Sequence, residues 1–481
     1  MDRTLDYIII GVYLIGVAAF GIISGGKQKT VKDYFLGATK VPWWAVCFSI
    51  VAAETSTLTF ISIPGLAYLT DLNFLQLTIG YLIGRIVIAT YFLPSYYKGD
   101  LSTAYAFLEN RFGSNTRSYA SVVFLFTRLA ADGVRLFATA IPLKLMLDIS
   151  YPAAIIIIAA VSLIYTYTGG VKGVIWVDVI QMFLYLGGAI LAGIFILSAL
   201  PEGVSSFFTQ AEAANKLDFI NLGFSDGLGS FFKEPYTLLG GILGGAFLSM
   251  ASHGTDQLIV QRLLATKDLR SGQKAIVSSG VLIIFQFAVF LLVGVGLYVY
   301  YGPMDIKSDE IFVKYILEHL PVGVSGIIIA GLFAAAMSTI AGSISSLSSS
   351  TILDLYKPYM QRKNRSLSEE KELKVSRFMT IVWAGLLILS AIYFKESSRA
   401  VVEIALSIAS FTYGGLLGTF ILGLIVSKAD QKIAIISFSF GIVVMVTVIL
   451  LNVIAWTWFT LVGVIATVSL GYILSNFKNK N

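Results

Sequence analysis

The apolar segment at residues 331–350 carries small and hydroxyl-bearing residues on one face. Within GLFAAAMSTIAGSISSLSSS, the residues Ala335, Ser338 and Thr339 are spaced i, i+3 and i+4, which places them one above another on a helix. Two hydroxyls and a nearby backbone carbonyl can contribute to an oxygen cage, which suits a hard cation such as sodium. Close helix packing explains most of the other serines equally well. The spacing therefore indicates one half of a candidate sodium site.

The other half of such a cage must come from a helix that is broken inside the membrane. The segment CFSIVAAETSTLTFISIPGLAY (47–68) is polar at its centre, from Glu54 to Thr57. A break there frees the backbone carbonyls of Ala52 and Thr55. A second segment, LLGGILGGAFLSMASHGTDQLIVQR (238–262), combines two glycine pairs with a polar run and is also predicted to be interrupted. The alternative for both segments is an unbroken, glycine- and serine-rich packing helix.

Ionisable residues inside apolar segments indicate a cavity or buried ion pairs, because an isolated charge in lipid is costly. Arg128, Asp132 and Arg135 are spaced i, i+4 and i+7 and therefore share a helix face. Asp132 neutralises one arginine, and Arg135 can then bind a substrate carboxylate in bidentate fashion. Alternatively, Glu54 pairs with Arg85 or Arg135 as a structural ion pair. Both interpretations remain open from the sequence, and Arg128 is interpreted as structural.

Composition decides the class of protein that carries these residues. Of 481 residues, 57% are hydrophobic and only 13% are charged, with a mean hydropathy of +0.82. Soluble proteins carry about 25% charged residues, so the lipid bilayer is the expected surrounding of this chain. One cysteine and two histidines exclude an internal disulfide and a cysteine- or histidine-rich metal centre. The net charge of +6 comes from short loops and does not indicate nucleic-acid binding.

Apolar runs of sufficient length predict an all-α, polytopic membrane protein with about thirteen spans. The predicted spans are 5–25, 42–68, 73–96, 118–146, 152–168, 174–199, 236–259, 275–300, 311–352, 376–394, 400–426, 432–451 and 453–475. The ninth is expected to begin with a short helix (311–319) and to break at Pro321–Gly323. Most lysines and arginines fall in loops that would lie on one side. This bias predicts that the N-terminus lies outside and the C-terminus in the cytoplasm, with the protein in the plasma or inner membrane. The first helix lacks a basic n-region and a cleavage site, so we expect it to be retained.

Four stretches of the chain resemble the sodium:solute symporter family. They are CFSIVAAETSTLTFISIPGLAY (47–68), YTGGVKGVIWVDVIQ (167–181), TDQLIVQRLLATKD (255–268) and GLFAAAMSTIAGSISSLSSSTILDLY (331–356). The resemblance implies a single transmembrane domain (1–481) with a LeuT-type core at 42–426, built from two inverted repeats of five helices. It also implies an additional N-terminal helix (5–25) and two C-terminal helices (432–475).

The resemblance further implies a sodium-coupled symporter that imports a small polar organic solute by alternating access. Its sodium ligands map onto the carbonyls of Ala52, Thr55 and Ala335 and the hydroxyls of Ser338 and Thr339, with Asp178 as the acidic residue behind them. Members that bind a second sodium use serines at positions held here by Ala341 and Gly342, so one sodium per substrate is expected.

The implied substrate residues are less closely matched. The hydroxyls of Ser56 and Thr59 and the guanidinium of Arg135 resemble those of the sialic acid branch. The same cavity would be lined by Glu54, Phe74, Thr78, Ser249, Ser252 and His253. A substrate with amine and carboxylate groups would fit, and so would a neutral polyol beside a Glu54–arginine pair. A proton-coupled carrier of the same fold is the alternative, with Glu54 or Asp178 as its proton site. No nucleophile–base pair or HExxH motif indicates an enzyme.

Overall fold

A computed structural model of the protein describes residues 3–99, 101–147, 149–224, 231–365, 367–394 and 401–477. These residues are almost entirely helical, and their β-structure is limited to one isolated bridge between Val41 and Thr266. The helices before residue 270 are α1 (Thr4–Gly25), α2 (Val31–Leu36), α3 (Trp43–Glu54), α4 (Thr57–Leu69), α5 (Leu75–Lys98), α6 (Ala106–Phe112), α7 (Ser114–Leu147), α8 (Tyr151–Ala199), α9 (Val204–Ala213), α10 (Gly245–Gly254) and α11 (Gln257–Leu264). The helices that follow are α12 (Leu269–Tyr301), α13 (Ser308–Glu318), α14 (Val324–Arg362), α15 (Glu369–Tyr393), α16 (Val401–Ile425), α17 (Gln431–Leu451) and α18 (Trp456–Phe477).

Eight helices of the described residues are long and apolar enough to cross a membrane, or nine when α3 and α4 count as one broken span. The count of thirteen crossings stays a prediction. The predicted spans nevertheless overlap helices along the described chain. The predicted short helix before the ninth span is α13, and the chain breaks between Glu318 and Val324, as expected for Pro321–Gly323.

Helix α8 contains two predicted spans joined without a loop. Its 49 residues at about 1.5 Å each far exceed the thickness of a bilayer. The helix breaks at Gly170, whose φ of 58° and ψ of −164° are not helical. A Cβ atom at Gly170 would lie 2.7 Å from the carbonyl oxygen of Tyr34, so only glycine fits this corner.

The predicted break in the second span is confirmed. Helices α3 and α4 meet at an angle of 65°, with Thr55 and Ser56 in extended conformations between them. The Ser56 hydroxyl caps α4 by accepting a 3.4 Å hydrogen bond from the Thr59 amide. The amide of Thr55 still bonds the carbonyl of Val51, whereas the following carbonyls at the end of α3 have no helical donors. Ala52 is therefore left with a carbonyl that can bind a ligand.

The predicted interruption of the seventh span is also confirmed. Helix α10 ends at Gly254, and α11 begins at Gln257 after an extended Asp256. The Asp256 carboxylate caps α11 by accepting a 2.9 Å hydrogen bond from the amide of Leu258. A π-helical turn at Gly240–Gly244 precedes α10, and Gly241 and Gly245, one from each glycine pair, lie against α5.

Both broken spans pack around α14, which is the most deeply buried of the eight helices of the described residues that are long enough to cross a membrane. In its apolar window 94% of the residues are buried, and the helix contacts α3, α4, α8 and α11. Helix α1 fixes its beginning, since the Asp6 carboxylate accepts hydrogen bonds from the amides of Gly323 and Gly326. We refer to this side of the bundle, which also holds Thr70 and Trp456, as the N-terminal face.

Candidate functional site

The hydroxyl of Ser338 connects α14 to α8 at the centre of the bundle. It donates a 2.6 Å hydrogen bond to Oδ1 of Asp178, and both side chains are fully buried. The hydroxyl of the next residue, Thr339, donates a 3.2 Å hydrogen bond to the carbonyl of Ala335, one turn earlier on α14. The structure therefore brings together the four predicted sodium-site residues of α14 and α8.

The predicted residues of the broken span lie on the helix that packs against α14. The Thr55 hydroxyl donates to the carbonyl of Val51 at 2.9 Å and accepts a 2.5 Å hydrogen bond from Gln286. Because its hydroxyl is occupied in this way, the group that Thr55 offers to an ion is its carbonyl. No sequence pattern indicated Gln286, which reaches the break from α12 and accepts a 3.1 Å hydrogen bond from the Tyr185 hydroxyl.

Asp178 also forms a buried ion pair that sequence reasoning missed. Its Oδ2 atom accepts hydrogen bonds from Ser49 at 2.5 Å and from the Arg262 guanidinium at 3.0 Å. Arg262 in turn donates to the Ser49 hydroxyl at 2.8 Å. The guanidinium lies against Gly342, where a Cβ atom would be only 2.7 Å from it. Every polar atom of the Asp178 carboxylate thus has a donor, and its charge is matched.

A cavity of about 260 Å³ lies beside the break between α3 and α4. It reaches the N-terminal face at Leu69 and Thr70, both exposed, and its inner end is formed by Arg128 and Tyr413. Seven of the nine predicted substrate residues line it: Glu54, Ser56, Thr59, Phe74, Arg135, Ser252 and His253. The other walls are mostly apolar and aromatic, with Tyr81, Tyr236, Phe287, Tyr413 and Trp456 among them. Such a lining with a few polar groups is typical of small-molecule sites.

Thr78 and Ser249 were also predicted to line the cavity, but neither is among its lining residues. Both side chains are buried, and Ser249 lies in the contact between α5 and α10. Thr78 donates to the carbonyl of Leu75 at 2.8 Å, and Ser249 lies against Gly84. A helix rotates by about 100° per residue, so Ser249, which follows the lining residue Leu248, faces another helix.

Glu54 forms an ion pair with Arg85, as one of the two sequence interpretations expected. Nε2 of His253 lies 3.3 Å from the same carboxylate oxygen and 3.0 Å from Arg85. The Arg85 guanidinium is fully buried and also donates to Ser279 at 2.7 Å. His253 is oriented through Nδ1 by the Ser252 hydroxyl at 2.7 Å. Glu54 therefore holds a polar cluster in the cavity wall.

A second chain of charges runs along the inner part of the cavity. Arg135 donates to Asp132 at 3.0 Å, and Asp132 lies 3.4 Å from Arg128. Arg128 is also paired with Asp256 at the start of α11. Tyr413 donates to this second carboxylate at 3.0 Å. The side chain of Arg135 is 20% exposed, compared with 7% for Arg128, so Arg135 is the more accessible arginine for a ligand in the cavity.

Comparison with known proteins assigns this architecture. The model of the sodium:solute symporter family matches residues 34–441 of this chain. The sodium/sialic acid symporter NanT of Aliivibrio fischeri is 29% identical over 99% of this chain and 94% of its own length. The sodium/sialic acid symporter SiaT of Proteus mirabilis is 30% identical over 93% of this chain and 89% of its own length. The human sodium-coupled monocarboxylate transporter 1 is 27% identical over 91% of this chain and 72% of its own length.

Solved structures agree in fold. A Na+-coupled sialic acid symporter in a substrate-bound outward-open state superposes with a TM-score of 0.87 at 28% identity, over 98% of this chain and 97% of that one. Mhp1, a nucleobase-cation-symport-1 family transporter, superposes with a TM-score of 0.60 at 11% identity, over 95% of this chain and 96% of that one, and shares the fold alone. The expected LeuT-type fold is confirmed, and a proton-coupled carrier is not supported. The protein is a membrane transporter and not an enzyme, and sodium is its coupling ion. The chain belongs to the sodium:solute symporter family and is a sodium-coupled symporter of a small organic solute.

Proposed function

We propose that the protein imports a carboxylated sugar acid of the sialic acid type together with one sodium ion. The observation that carries this proposal is the position of Arg135. Its guanidinium uses one nitrogen for Asp132 and is partly exposed in the cavity, whereas Arg85 is fully buried in its own cluster. A planar guanidinium suits bidentate recognition of a carboxylate. The two sialic acid symporters among the relatives support the same class of substrate.

The rest of the cavity supports a polyhydroxylated ring. The hydroxyls of Ser56, Thr59 and Ser252 lie in its wall, where they can exchange hydrogen bonds with substrate hydroxyls. Phe74 and Phe287 are stacked at 5.0 Å between ring centroids and form an apolar surface in the same cavity. Because Glu54 already balances Arg85, an additional amine on the substrate is not required.

For sodium we propose the carbonyls of Ala52, Thr55 and Ala335 and the hydroxyls of Ser338 and Thr339. The broken end of α3 supplies carbonyls without helical donors, and α14 supplies the hydroxyls. Asp178 is proposed to strengthen the site through Ser338 and not as a direct ligand. Because the cage joins two different elements, a tilt of α3 and α4 relative to α14 would open it and release the ion.

We propose one sodium per substrate because an arginine fills the neighbouring space. Ala341 and Gly342 offer no side-chain oxygen next to Asp178. The guanidinium of Arg262 lies against Gly342 and already neutralises that carboxylate. A carboxylate carried with one sodium ion moves no net charge, so the membrane potential, which supplies about 2.3 kcal/mol per charge per 100 mV, does not drive this transport. The sodium concentration gradient is then what drives accumulation.

Uptake into proteoliposomes tests this function. We expect accumulation of N-acetylneuraminic acid under an inward sodium gradient, and no accumulation with potassium or with a proton gradient alone. Arg135→Gln should abolish it, while Arg377→Gln, which removes an arginine bonded to Gln28 outside the cavity, should preserve it. The proposed substrate class would be overturned if the wild type took up a neutral sugar under a sodium gradient and the Arg135→Gln variant took it up equally well.

A further inference from the structure

Asp132 lies where three parts of the transporter meet. Its side chain is fully buried on α7 and accepts hydrogen bonds from Arg135 at 3.0 Å and from Arg128 at 3.4 Å. Its other carboxylate oxygen accepts a hydrogen bond from the Ser343 hydroxyl on α14. One carboxylate therefore contacts the cavity arginine, a second arginine and the helix that carries the candidate sodium ligands.

The second arginine closes the inner end of the cavity. Arg128 pairs with Asp256, which caps α11 at the interruption of the seventh span. The Tyr413 hydroxyl from α16 donates to the same carboxylate at 3.0 Å. Arg128 and Tyr413 line the substrate cavity, and together with Asp256 they also line a much smaller space behind it. The Arg128–Asp256 ion pair therefore forms a floor between α7, α11 and α16.

Ser343 links the same carboxylate to the sodium side. Its hydroxyl lies within hydrogen-bond distance of Asp132 and also 2.9 Å from the carbonyl of Thr339. A serine hydroxyl has a single hydrogen, so it donates fully to only one of these acceptors at a time. Any change in the charge around Asp132 therefore changes how strongly Ser343 binds the backbone beside a candidate sodium ligand.

We propose that Asp132 is a positioning residue that couples substrate and sodium binding to the opening of this floor. The proposal rests on the proposed function, in which a substrate carboxylate binds Arg135. That carboxylate competes with Asp132 for the guanidinium. Asp132 then pairs more strongly with Arg128, and the ion pair between Arg128 and Asp256 becomes weaker. The cap of α11 is released from α7, and the floor opens at a point where the chain is already interrupted.

The charges explain why both ligands are needed. The chain Arg135, Asp132, Arg128 and Asp256 sums to zero in the structure. A carboxylate substrate adds one negative charge to this buried network, and sodium nearby on α14 compensates it. Each ligand thus favours the binding of the other, and thermodynamic linkage makes this coupling reciprocal.

Binding measurements on the purified, full-length protein test the coupling. The dissociation constant of N-acetylneuraminic acid is measured by calorimetry in saturating sodium and in choline. In the wild type we expect sodium to tighten binding by about 5- to 150-fold, which is the usual range of coupling between sites. Asp132→Asn should bring this ratio close to one. Ser346→Ala is the matched control, because that hydroxyl also lies on α14 but donates to a backbone carbonyl at 3.2 Å, and it should keep the ratio.

Movement of the floor gives a second, independent readout. Leu416 lies behind the floor and is buried, so Leu416→Cys in a Cys47→Ser background should react slowly with a thiol reagent. Sodium and substrate together should accelerate the reaction in this background, and Asp132→Asn should remove the acceleration. Ser343→Ala, which removes a hydroxyl and no charge, should lower the sodium ratio even where Asp132→Asn folds poorly.

The outcomes separate this inference from the proposed function. An Asp132→Asn protein that binds substrate with the full wild-type sodium ratio, and shows the full acceleration at Leu416→Cys, overturns the coupling role. Failure of the wild type to bind N-acetylneuraminic acid, with Arg135→Gln unchanged in every assay, instead overturns the proposed substrate class.

Discussion

The hydroxyl of Ser338 donates its only hydrogen to the carboxylate of Asp178, at 2.6 Å, across the contact between α14 and α8. A hydroxyl that donates to a carboxylate keeps its lone pairs for the opposite side. In this geometry Asp178 orients and polarises the oxygen of Ser338 for a cation without touching the cation itself. The acidic residue can therefore raise sodium affinity while it remains in its own ion pair with Arg262.

Asp178→Asn should weaken sodium binding with little effect on substrate recognition. The amide can still accept a hydrogen bond from Ser338, but the charge assistance is lost, and Arg262 loses its counter-ion. A loss of about 1.4 kcal/mol corresponds to a tenfold higher sodium concentration at half-maximal uptake. Sodium titration of uptake measures this value. An unchanged sodium dependence would show that Asp178 serves packing alone.

The double variant Ser338→Ala, Thr339→Ala should abolish sodium-dependent uptake. It removes both candidate hydroxyl ligands from α14, so the remaining carbonyls cannot complete an oxygen cage. Ser348→Ala is the control, because that hydroxyl lies on the same helix and only bonds the carbonyl of Ile344 at 2.7 Å. Uptake at several sodium concentrations distinguishes the two variants. Wild-type sodium dependence in the double variant would exclude these ligands.

Gly342→Ala should disturb the charge pair behind the sodium site. A Cβ atom there would lie 2.7 Å from the Arg262 guanidinium, and overpacking of this kind costs about 1–3 kcal/mol. We expect a lower unfolding temperature and weaker sodium binding. Gly385→Ala is the matched control, because a Cβ atom at that helical position meets nothing within 4 Å. Equal behaviour of the two variants would mean that Arg262 does not need the space at Gly342.

The breaks in the helices could be predicted from local chemistry. Polar, partly β-branched residues at Glu54–Thr57 and a polar run before Asp256 interrupt apolar segments, and each interruption is a property of consecutive residues. The face shared by Ala335, Ser338 and Thr339 follows from helical spacing in the same way. Features that depend on only one stretch of chain are thus accessible without a structure.

Contacts between distant segments could not be predicted in the same way. Gln286 reaches Thr55, and Arg262 reaches Asp178, because separate helices meet in space. The rotation of α10 about its axis decides that Ser249 lies against Gly84 of α5 instead of lining the cavity. Successive residues of a helix point about 100° apart, so an alignment error of a single position is enough to assign the wrong side chain to the cavity. An ungapped sequence comparison can slip by more than that.

Asp6→Ala should destabilise the protein, although α1 lies outside the predicted ten-helix core. The Asp6 carboxylate accepts the amides of Gly323 and Gly326 at 2.7 and 2.9 Å and the hydroxyl of Ser325 at 2.7 Å. Loss of a helix cap costs about 0.5–2 kcal/mol, and this cap fixes the helix that carries the candidate sodium ligands. Thermal unfolding in detergent measures the loss. Ser325→Ala, which removes one of the three bonds, should have the smaller effect; a larger effect would contradict the capping role.

Glu54→Gln distinguishes the two roles that the sequence left open for this carboxylate. The structure pairs Glu54 with the fully buried Arg85, and removal of one partner from a buried ion pair costs about 3–5 kcal/mol. We therefore expect a marked fall in the free energy of unfolding, measured by denaturant titration. A side chain that served only to bind substrate would leave this free energy almost unchanged while substrate affinity fell.

The double variant Glu54→Gln, Arg85→Met completes the test. It removes the uncompensated charge along with its partner, so it should recover at least half of the stability that Glu54→Gln alone loses. The contact of His253 with Ser252 involves neither altered residue, so we expect both variants to keep it. If the two residues act independently, the stability lost in the double variant will equal the sum of the losses in Glu54→Gln and Arg85→Met. That result would show that the ion pair does not hold the cavity wall together.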